Sequence, residues 1–360
     1  MADFSTNTTT NTSAMEYLVG KTVDTVLEYS PATLFFLGNQ KKWRGTQMRV
    51  PIKYAKNTQG LWFDGLQKFS TTDTTNFVNM TFNPTGRSIN VVVPQMEVDV
   101  NETAKVIDII ARKTASAAQD MAEDVANSFH TLQAGIAFNS LIDACDDGSI
   151  GAGSYGGLSR TDYSTLAGNY SAAGGNLTLT ILGSAFNSAT HGKDSPNLIL
   201  TTKAIFNYYE KLLTPTVSTQ VGSTAVMGYA SFVGATANGL PNITAPGSKL
   251  SGYQGFNAIY YRGVPVVADE ATPSGYLYML NTRNIAFYGV KSTDPDYQAV
   301  KFTSDAMDSV YNIPVTTGFS FSGFNKPIDQ YGKVGHIILM GNLICDNPRN
   351  QAIVITITGA

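Results

Sequence analysis

Apolar residues recur three, four or seven positions apart between Asn101 and Phe138, at Val106, Ile110, Ala117, Met121, Val125, Leu132 and Ile136. That spacing is one face of a helix. Glu102, Lys105, Asp108, Arg112, Asp120 and Asp124 fall on the opposite face, and Asp108 stands four residues before Arg112, the favourable order for an ion pair. Asp99 followed by Glu102 resembles a capping box. A regular stretch from Glu102 to about Ser128 predicts a rod roughly 40 Å long, longer than the usual globular helix. Such a rod needs sheets packed along it.

The flanking segments have period two instead. Met48, Val50, Ile52 and Tyr54 alternate with Gln47, Arg49, Pro51 and Lys53, which predicts a half-buried strand whose proline belongs on an edge. Phe77 to Asn83 and Arg87 to Val98 read as two further strands, with the residues of a tight reversal at Asn83-Pro84-Thr85-Gly86. Between the first and second strands runs a long connection, Lys56 to Thr75, and long loops in compact domains tend to be functional. This one carries Leu61, Trp62, Phe63, Leu66 and Phe69 among glycines, an apolar cluster that something must cover. Either it folds back on its own subunit, or it is an arm reaching onto a neighbour.

After the helix, Asp147 to Gly157 is glycine-rich and contains the spelling G-x-G-x-x-G at residues 151–156. A dinucleotide site needs a strand before that motif and a helix after it; here a helix precedes, so the context favours a flexible connector. Thr178 to His191 reads as a helix stopped by Gly192, Asn197 to Thr201 as a short buried strand, and Lys203 to Leu213 as a helix ended before Pro215. Residues 214–256 are an excursion rich in Gly, Ser, Thr and Ala. Asn257 to Asp269 and Tyr276 to Asn281 then read as strands paired around Thr272-Pro273-Ser274-Gly275, with another strand at Asn284 to Val290. Strands return at Tyr297 to Thr303, Ile313 to Phe324, Lys333 to Cys345 and Gln351 to Thr358, alternating as in an antiparallel sheet with one covered face. The obvious cover is the long helix, which makes the chain an α+β protein with a mixed block inserted between two parts of another domain.

Composition narrows the function. Only 14% of the 360 residues are charged, against the usual quarter, and Thr, Asn, Ser and Gly supply the polar surface. Such a surface buries against neighbours at little desolvation cost. The net charge of −3 gives no global footprint for nucleic acid, and no run of Lys and Arg provides a local one. Cys145 and Cys345 form neither a disulfide framework nor a metal cluster and read as small buried apolar residues. The amino-terminal residues 2–14 read as a polar arm rather than a secretory signal, and the apolar run Val334 to Cys345 is too short to span a bilayer. No membrane association is expected.

Signals of catalysis are thin, and no catalytic, cofactor-binding or metal-binding residue is assigned. His130, His191 and His336 are scattered, without carboxylates or cysteines at ligand spacing. Gly318-Phe319-Ser320-Phe321-Ser322 approaches a nucleophile elbow but lacks its last glycine. Asp146-Asp147 and Asp294 to Asp296 match no calcium loop and read as solvated turns. A low-charge α+β chain with a projecting apolar loop points to assembly rather than to an enzyme.

The order of these parts resembles that of the major capsid proteins of tailed double-stranded-DNA bacteriophages. Tyr261-Arg262-Gly263-Val264-Pro265-Val266-Val267-Ala268-Asp269 with Pro273-Ser274-Gly275-Tyr276-Leu277-Tyr278-Met279-Leu280-Asn281 resembles the family's strand, turn and strand passage. Gly341-Asn342-Leu343-Ile344-Cys345-Asp346-Asn347-Pro348-Arg349 resembles the closing segment of many members. The resemblance implies an N-terminal arm at 1–44 and an extended β-loop at 45–98. It implies a peripheral domain with the spine helix and connector at 99–175, completed by an antiparallel sheet at 291–360, and a mixed α/β axial domain at 176–290. Leu61, Trp62, Phe63, Leu66 and Phe69 would then make the inter-subunit contact of the extended loop.

The function so implied is a structural, non-enzymatic shell protein that assembles as hexamers and pentamers into an icosahedral or prolate shell around double-stranded DNA. Its place would be the virion, after assembly in the host cytoplasm, with a portal, a separate scaffolding protein and a decoration protein as partners. The chain lacks the charged scaffolding segment with which some relatives begin, which is why a separate scaffold or a trimmed chain is implied. Relatives that cross-link a loop lysine to an asparagine suggest Lys56 or Lys68 with Asn342 or Asn350. A shell protein of the same fold that encloses enzymes, an encapsulating nanocompartment, is the alternative.

Overall fold

The computed structural model describes residues 30–97, 99, 109–151, 153–213, 230–231, 257–290, 298–299, 320–322, 324–328 and 330–359. The described chain opens with helix α1 (Pro31–Gly38), then strands β1 (Lys41–Lys42), β2 (Met48–Lys53), β3 (Phe77–Phe82) and β4 (Thr85–Pro94). Helices α2 (Ile109–His130) and α3 (Leu141–Cys145) lead to β5 (Ser154–Tyr155), β6 (Leu158–Ser159) and β7 (Asn169–Asn176). Next come α4 (Leu179–Ala189), β8 (Leu198–Thr201), α5 (Lys203–Leu213), β9 (Ala230–Ser231), β10 (Asn257–Tyr261), β11 (Val264–Ala268), β12 (Leu277–Leu280) and β13 (Ile285–Gly289). The chain ends through β14 (Gln298–Ala299), β15 (Ser320–Phe321), β16 (Gly332–Cys345) and β17 (Ala352–Gly359).

Local chemistry sets the helix ends. Ser30 caps α1 by accepting the Thr33 N–H, with Pro31 at the first turn, where a missing N–H costs nothing. Thr178 caps α4 on Ile181, and Gly192 follows that helix at φ 63°, a conformation favourable to glycine. Helix α2 stops at His130, short of the apolar spacing that continues to Ile136. Gly135 sits at φ 60°, which a helix cannot use, and Asp143 of α3 takes the Gln133 N–H into its capping box. Ile136 is accordingly 84% exposed rather than on a buried face. The part of the predicted rod at 101–108 lies outside the described residues.

Two sheets form the body. One has the order β1-β13-β16-β15-β14, with β4 on the far edge of β16, and it is antiparallel except for the short pair β1 with β13. Helix α2 covers it, burying Met121, Val125 and Phe129 among Phe36, Phe287, Ile337 and Leu339. The second sheet has the order β7-β17-β12-β8-β11-β10-β9. Its central strands are buried on both faces: Leu198, Leu200, Val267 and Tyr278 join the core beneath α2, while Ile199, Val266, Leu277 and Met279 face α4 and α5. Their continuous apolar sequences follow from that double burial.

The connections differ from the sequence reading in several places. Residues 257–268 are two strands folded at Arg262-Gly263, both at positive φ, the backbone of a two-residue hairpin turn. Strands β11 and β12 flank β8 instead of pairing with each other. Strands β3 and β4 form no ladder across Asn83-Pro84; β3 pairs with β2 and β4 with β16. The segments expected as axial and peripheral each lend a strand: β13 enters the sheet under α2, and β17 the sheet under α4 and α5. Within 1–44, α1 is a buried helix with Phe35, Phe36 and Leu37 in the core. Residues 1–29, most of 214–256 and all of 300–319 lie outside the described residues.

Because Met121 is fully buried under α2, Met121→Ala should lower stability by about 2–5 kcal/mol, read from the denaturant midpoint. Asn127→Ala on the exposed side of the same helix should stay within about 0.5 kcal/mol.

Candidate functional site

Strands β2 and β3 form a separate two-stranded ribbon with Pro51 opposite Asn79, so the proline occupies an edge as its missing N–H requires. Met48, Val50 and Ile52 lean on the core while Arg49, Pro51 and Lys53 face outward. At the ribbon's end the loop is closed by the Tyr54 N–H donating to the Asn76 carbonyl at 3.0 Å and the Tyr54 hydroxyl donating to the Thr75 carbonyl at 2.8 Å. Inside it the Phe63 and Phe69 rings meet edge to face at 5.1 Å, and Ser70 donates to Gln59 at 2.8 Å. Trp62 is 98% and Leu66 105% exposed, and Leu61, Phe63 and Phe69 exceed half. The loop does not fold back on its own subunit. Phe77 at the foot of β3 is also 64% exposed; sequence reasoning assigned it only to a strand, although its facing Lys53 across the ribbon is the signal that places it outward.

The root of this loop is tied to the body. The glycine-rich stretch expected as a flexible connector is a hairpin, β5 with β6, turning on Gly156 and Gly157 at φ 58° and 77°. A Cβ on Gly156 would stand 2.7 Å from Met80, so glycine also permits the close approach to β3. The Thr81 N–H donates to the Gly156 carbonyl at 2.8 Å, and the Cys345 N–H to the Tyr155 hydroxyl at 2.9 Å. Buried Arg160 donates to the Asp143 carbonyl and lies 5.5 Å over the Tyr155 ring. A groove of about 550 Å3 opens beside this junction, lined by Leu132, Ile136, Asn139, Tyr155 and Asn342 among others.

A buried carboxylate fixes the other side of the body. Asp269, just past β11, is fully buried. Its Oδ2 accepts the Ser30 hydroxyl at 2.7 Å and the Ala32 N–H at 3.1 Å, and its Oδ1 accepts the Ala271 N–H at 3.0 Å. Nε2 of His130, the last residue of α2, lies 3.6 Å from Oδ2, too long for a hydrogen bond. Burial works to raise the Asp269 pKa; His130, then the Ser30 hydroxyl and the Ala32 N–H, outweigh it, and the value is lowered. An acid at the start of α1 and a base at the end of α2 both suit the helix dipoles.

The chemical candidates fall apart in space or into structural roles. His336 is exposed on β16 and His191 pairs its backbone with Asp194. Ser320 is buried in β15, opposite Ile338, rather than presented on an elbow. Asp146 is buried, not solvated, and accepts the Ile150 and Gly151 N–H groups; Asp294 to Asp296 lie outside the described residues. Among the described residues no group of three or more His, Cys, Asp or Glu could hold a metal, and no helix is long and apolar enough to cross a membrane. Cys145 and Cys345 are free, fully buried in one core, and burial pushes both thiols up. Asn342 and Asn350 are buried too, and the Asn342 amide is engaged by the Asn139 N–H and the Asn83 carbonyl, so this state presents neither asparagine to a lysine.

A spine helix on one sheet, a second sheet buried on both faces and a projecting ribbon with its loop make up the capsid fold of tailed bacteriophages. The capsid asymmetric unit of cyanophage A-1(L) matches with a TM-score of 0.63 and 13% identity, over 96% of this chain and 97% of that one. The capsid of the native GTA particle matches at 0.56 and 11%, over 95% of each chain. The SrpI encapsulin of Synechococcus elongatus PCC 7942 matches at 0.55 and 12%, over 96% of this chain and 94% of that one. No protein-family model matches the sequence, and no curated protein does either. At these identities the likeness establishes the fold.

Asp269→Asn should cost about 1–3 kcal/mol at neutral pH, because an amide cannot accept from both the Ser30 hydroxyl and the Ala32 N–H on one side and from the Ala271 N–H on the other. Because the folded pKa is lowered, the carboxylate's contribution is complete above the ordinary value of about 3.9 and is lost as pH falls through the lower folded value. Thermal melts from pH 7 to 3 should therefore show the gap between parent and variant narrowing only at the acid end.

Proposed function

We propose that the chain is the major capsid protein of a tailed phage, a structural subunit without enzymatic activity that assembles as hexamers and pentamers into an icosahedral or prolate shell around double-stranded DNA. The observation that carries this reading is the projecting loop, whose Leu61, Trp62, Phe63, Leu66 and Phe69 stay exposed on a ribbon anchored to a two-sheet body. A monomer gains nothing from that exposure, whereas an overlapping neighbour would bury it. The capsid fold supports the same conclusion. On this reading the segments 1–44, 45–98, 99–175, 176–290 and 291–360 act as arm, extended loop, first peripheral part, axial domain and second peripheral part. The protein resides in the virion after assembly in the host cytoplasm, and a portal, a separate scaffolding protein and a decoration protein are its partners. The likeness to an encapsulin over 96% of this chain keeps the nanocompartment as the second reading, and particle contents separate the two.

Purified chain, alone and co-expressed with its neighbouring genes, should give rings or closed particles by light scattering and negative-stain microscopy. DNA inside supports the virus, enclosed protein the nanocompartment, and a stable monomer under every condition overturns both. Trp62→Asp with Leu66→Asp should leave the subunit's melting unchanged, since both side chains are exposed. Each burial is worth about 1.5–3 kcal/mol, so assembly should weaken by at least tenfold in sedimentation.

A further inference from the structure

Two Asp-Gly pairs lie among the described residues, Asp64-Gly65 in the projecting loop and Asp147-Gly148 before the β5–β6 hairpin. They are not equivalent. Oδ1 of Asp147 is taken by the Ser149 N–H at 2.9 Å. Asp64 is exposed, and no hydrogen bond or ion pair among the described residues engages its carboxylate. The Gly65 N–H donates to no backbone carbonyl there either. Gly65 stands at φ 75°, and a Cβ placed on it would meet nothing within 4 Å. Neither the Phe63–Phe69 ring contact nor the Ser70 bond to Gln59 involves the peptide between 64 and 65. An unengaged carboxyl and an unengaged backbone nitrogen thus adjoin at a residue with no side chain to obstruct their approach, in a loop with no ladder to hold its backbone.

We infer that Asp64-Gly65 is a self-modification site, at which the free subunit converts its aspartyl linkage to an isoaspartyl one. The Gly65 nitrogen attacks Cγ of Asp64 and a C–N bond forms. A Cγ–O bond breaks, and that oxygen leaves as water with the nitrogen's proton and one proton from solvent. The resulting succinimide takes up water at either carbonyl, returning the solvent proton. Opening at Cγ restores aspartate. Opening at the α carbonyl routes the chain through Cβ and leaves the carboxylate on Cα, so mass is unchanged and water is the sole co-reactant. The backbone gains one atom between Phe63 and Leu66, both exposed members of the apolar cluster. On the assembly reading above a neighbour buries that cluster, and the consequence for assembly rests on that reading. A covered loop is held still, so assembled subunits keep the aspartyl form while unassembled ones age.

Peptide mapping of the full-length chain, aged at neutral pH and physiological temperature, tests the site. Trypsin releases it as residues 57–68, which contain no other Asp. That peptide should split with time into two species of equal mass. One of them should resist an Asp-specific protease and accept methyl groups from protein isoaspartyl methyltransferase, while residues 114–160, which carry Asp147, lag behind. Gly65→Ala and, separately, Asp64→Glu should lose the second species, and the Glu variant should melt like the parent because Asp64 is exposed. A single species in the folded chain, where the denatured chain gives two, means that the fold withholds the turn and overturns the site. A second species that survives both variants, or whose mass has changed through an amide side chain, overturns it as well. Aged subunits should lose assembly in step with their isoaspartate content and regain it after repair by the methyltransferase with S-adenosylmethionine. Undiminished assembly of aged subunits overturns the consequence for assembly while the modification stands. A parent that never assembles removes the assembly reading and that consequence with it, and leaves the site to be judged on the peptides.

Discussion

Asp269 is where three separated stretches of the chain meet, and the relation between the two sheets depends on it. Its carboxylate holds the start of α1 through Ser30 and Ala32, faces His130 at the end of α2, and belongs to the strand that leads out of the second sheet. Its own N–H donates to the Thr201 carbonyl at 2.7 Å, fixing it to β8 as well. A buried charge is tolerated only when its hydrogen bonds are supplied, so neither the start of α1 nor the turn at Ala271 can move without leaving the carboxylate short of a donor. Helix α1 is thereby registered against the double-faced sheet by hydrogen bonds, which are more directional than the apolar packing around them, and the His130 end of the spine helix lies beside the same carboxylate.

That polar registration matters because the apolar packing on its own is permissive. Strand β8 sends Leu198 and Leu200 to the core under α2 and Ile199 to the core under α4 and α5, so the second sheet is shared between the two halves of the molecule. The exchange of β13 and β17 between sheets has the same effect. The chain crosses and returns, and no clean hinge separates the halves along the described strands. The parts that project, the ribbon and its loop, are consequently mounted on a body that resists deformation.

Local signals were the legible ones. Thr178, Gly192 and the bounds of the helix at 203–213 could be read because caps, glycine stops and amphipathic spacing act within a few residues. The exposed loop was legible because five large apolar residues among glycines fit no strand or helix face. Pairing was not: the sequence near 257–281 holds apolar runs with turn residues at two places, and only the position of β8 decides which of them fold together. The regular stretch read as ending near Ser128 falls close to the end of α2 at His130 although the apolar period runs on to Ile136; the interruption there comes from Asp143, ten residues beyond Gln133. Asp269 gave no signal, since one acid after an apolar strand looks like an ordinary solvated turn.

On the proposed reading, the energetics of the loop would suit a shell better than a dimer. Five apolar side chains at about 1.5–3 kcal/mol each compete with roughly 4–15 kcal/mol of lost rigid-body freedom and the cost of ordering a loop without regular structure. One such contact is marginal. In a closed ring every subunit both gives a loop and receives one, and the last subunit gains two contacts for a single loss of freedom. A weak contact repeated this way lets wrongly placed subunits leave before closure, whereas a strong one would trap them. A small apolar cluster on a two-stranded ribbon would meet that requirement.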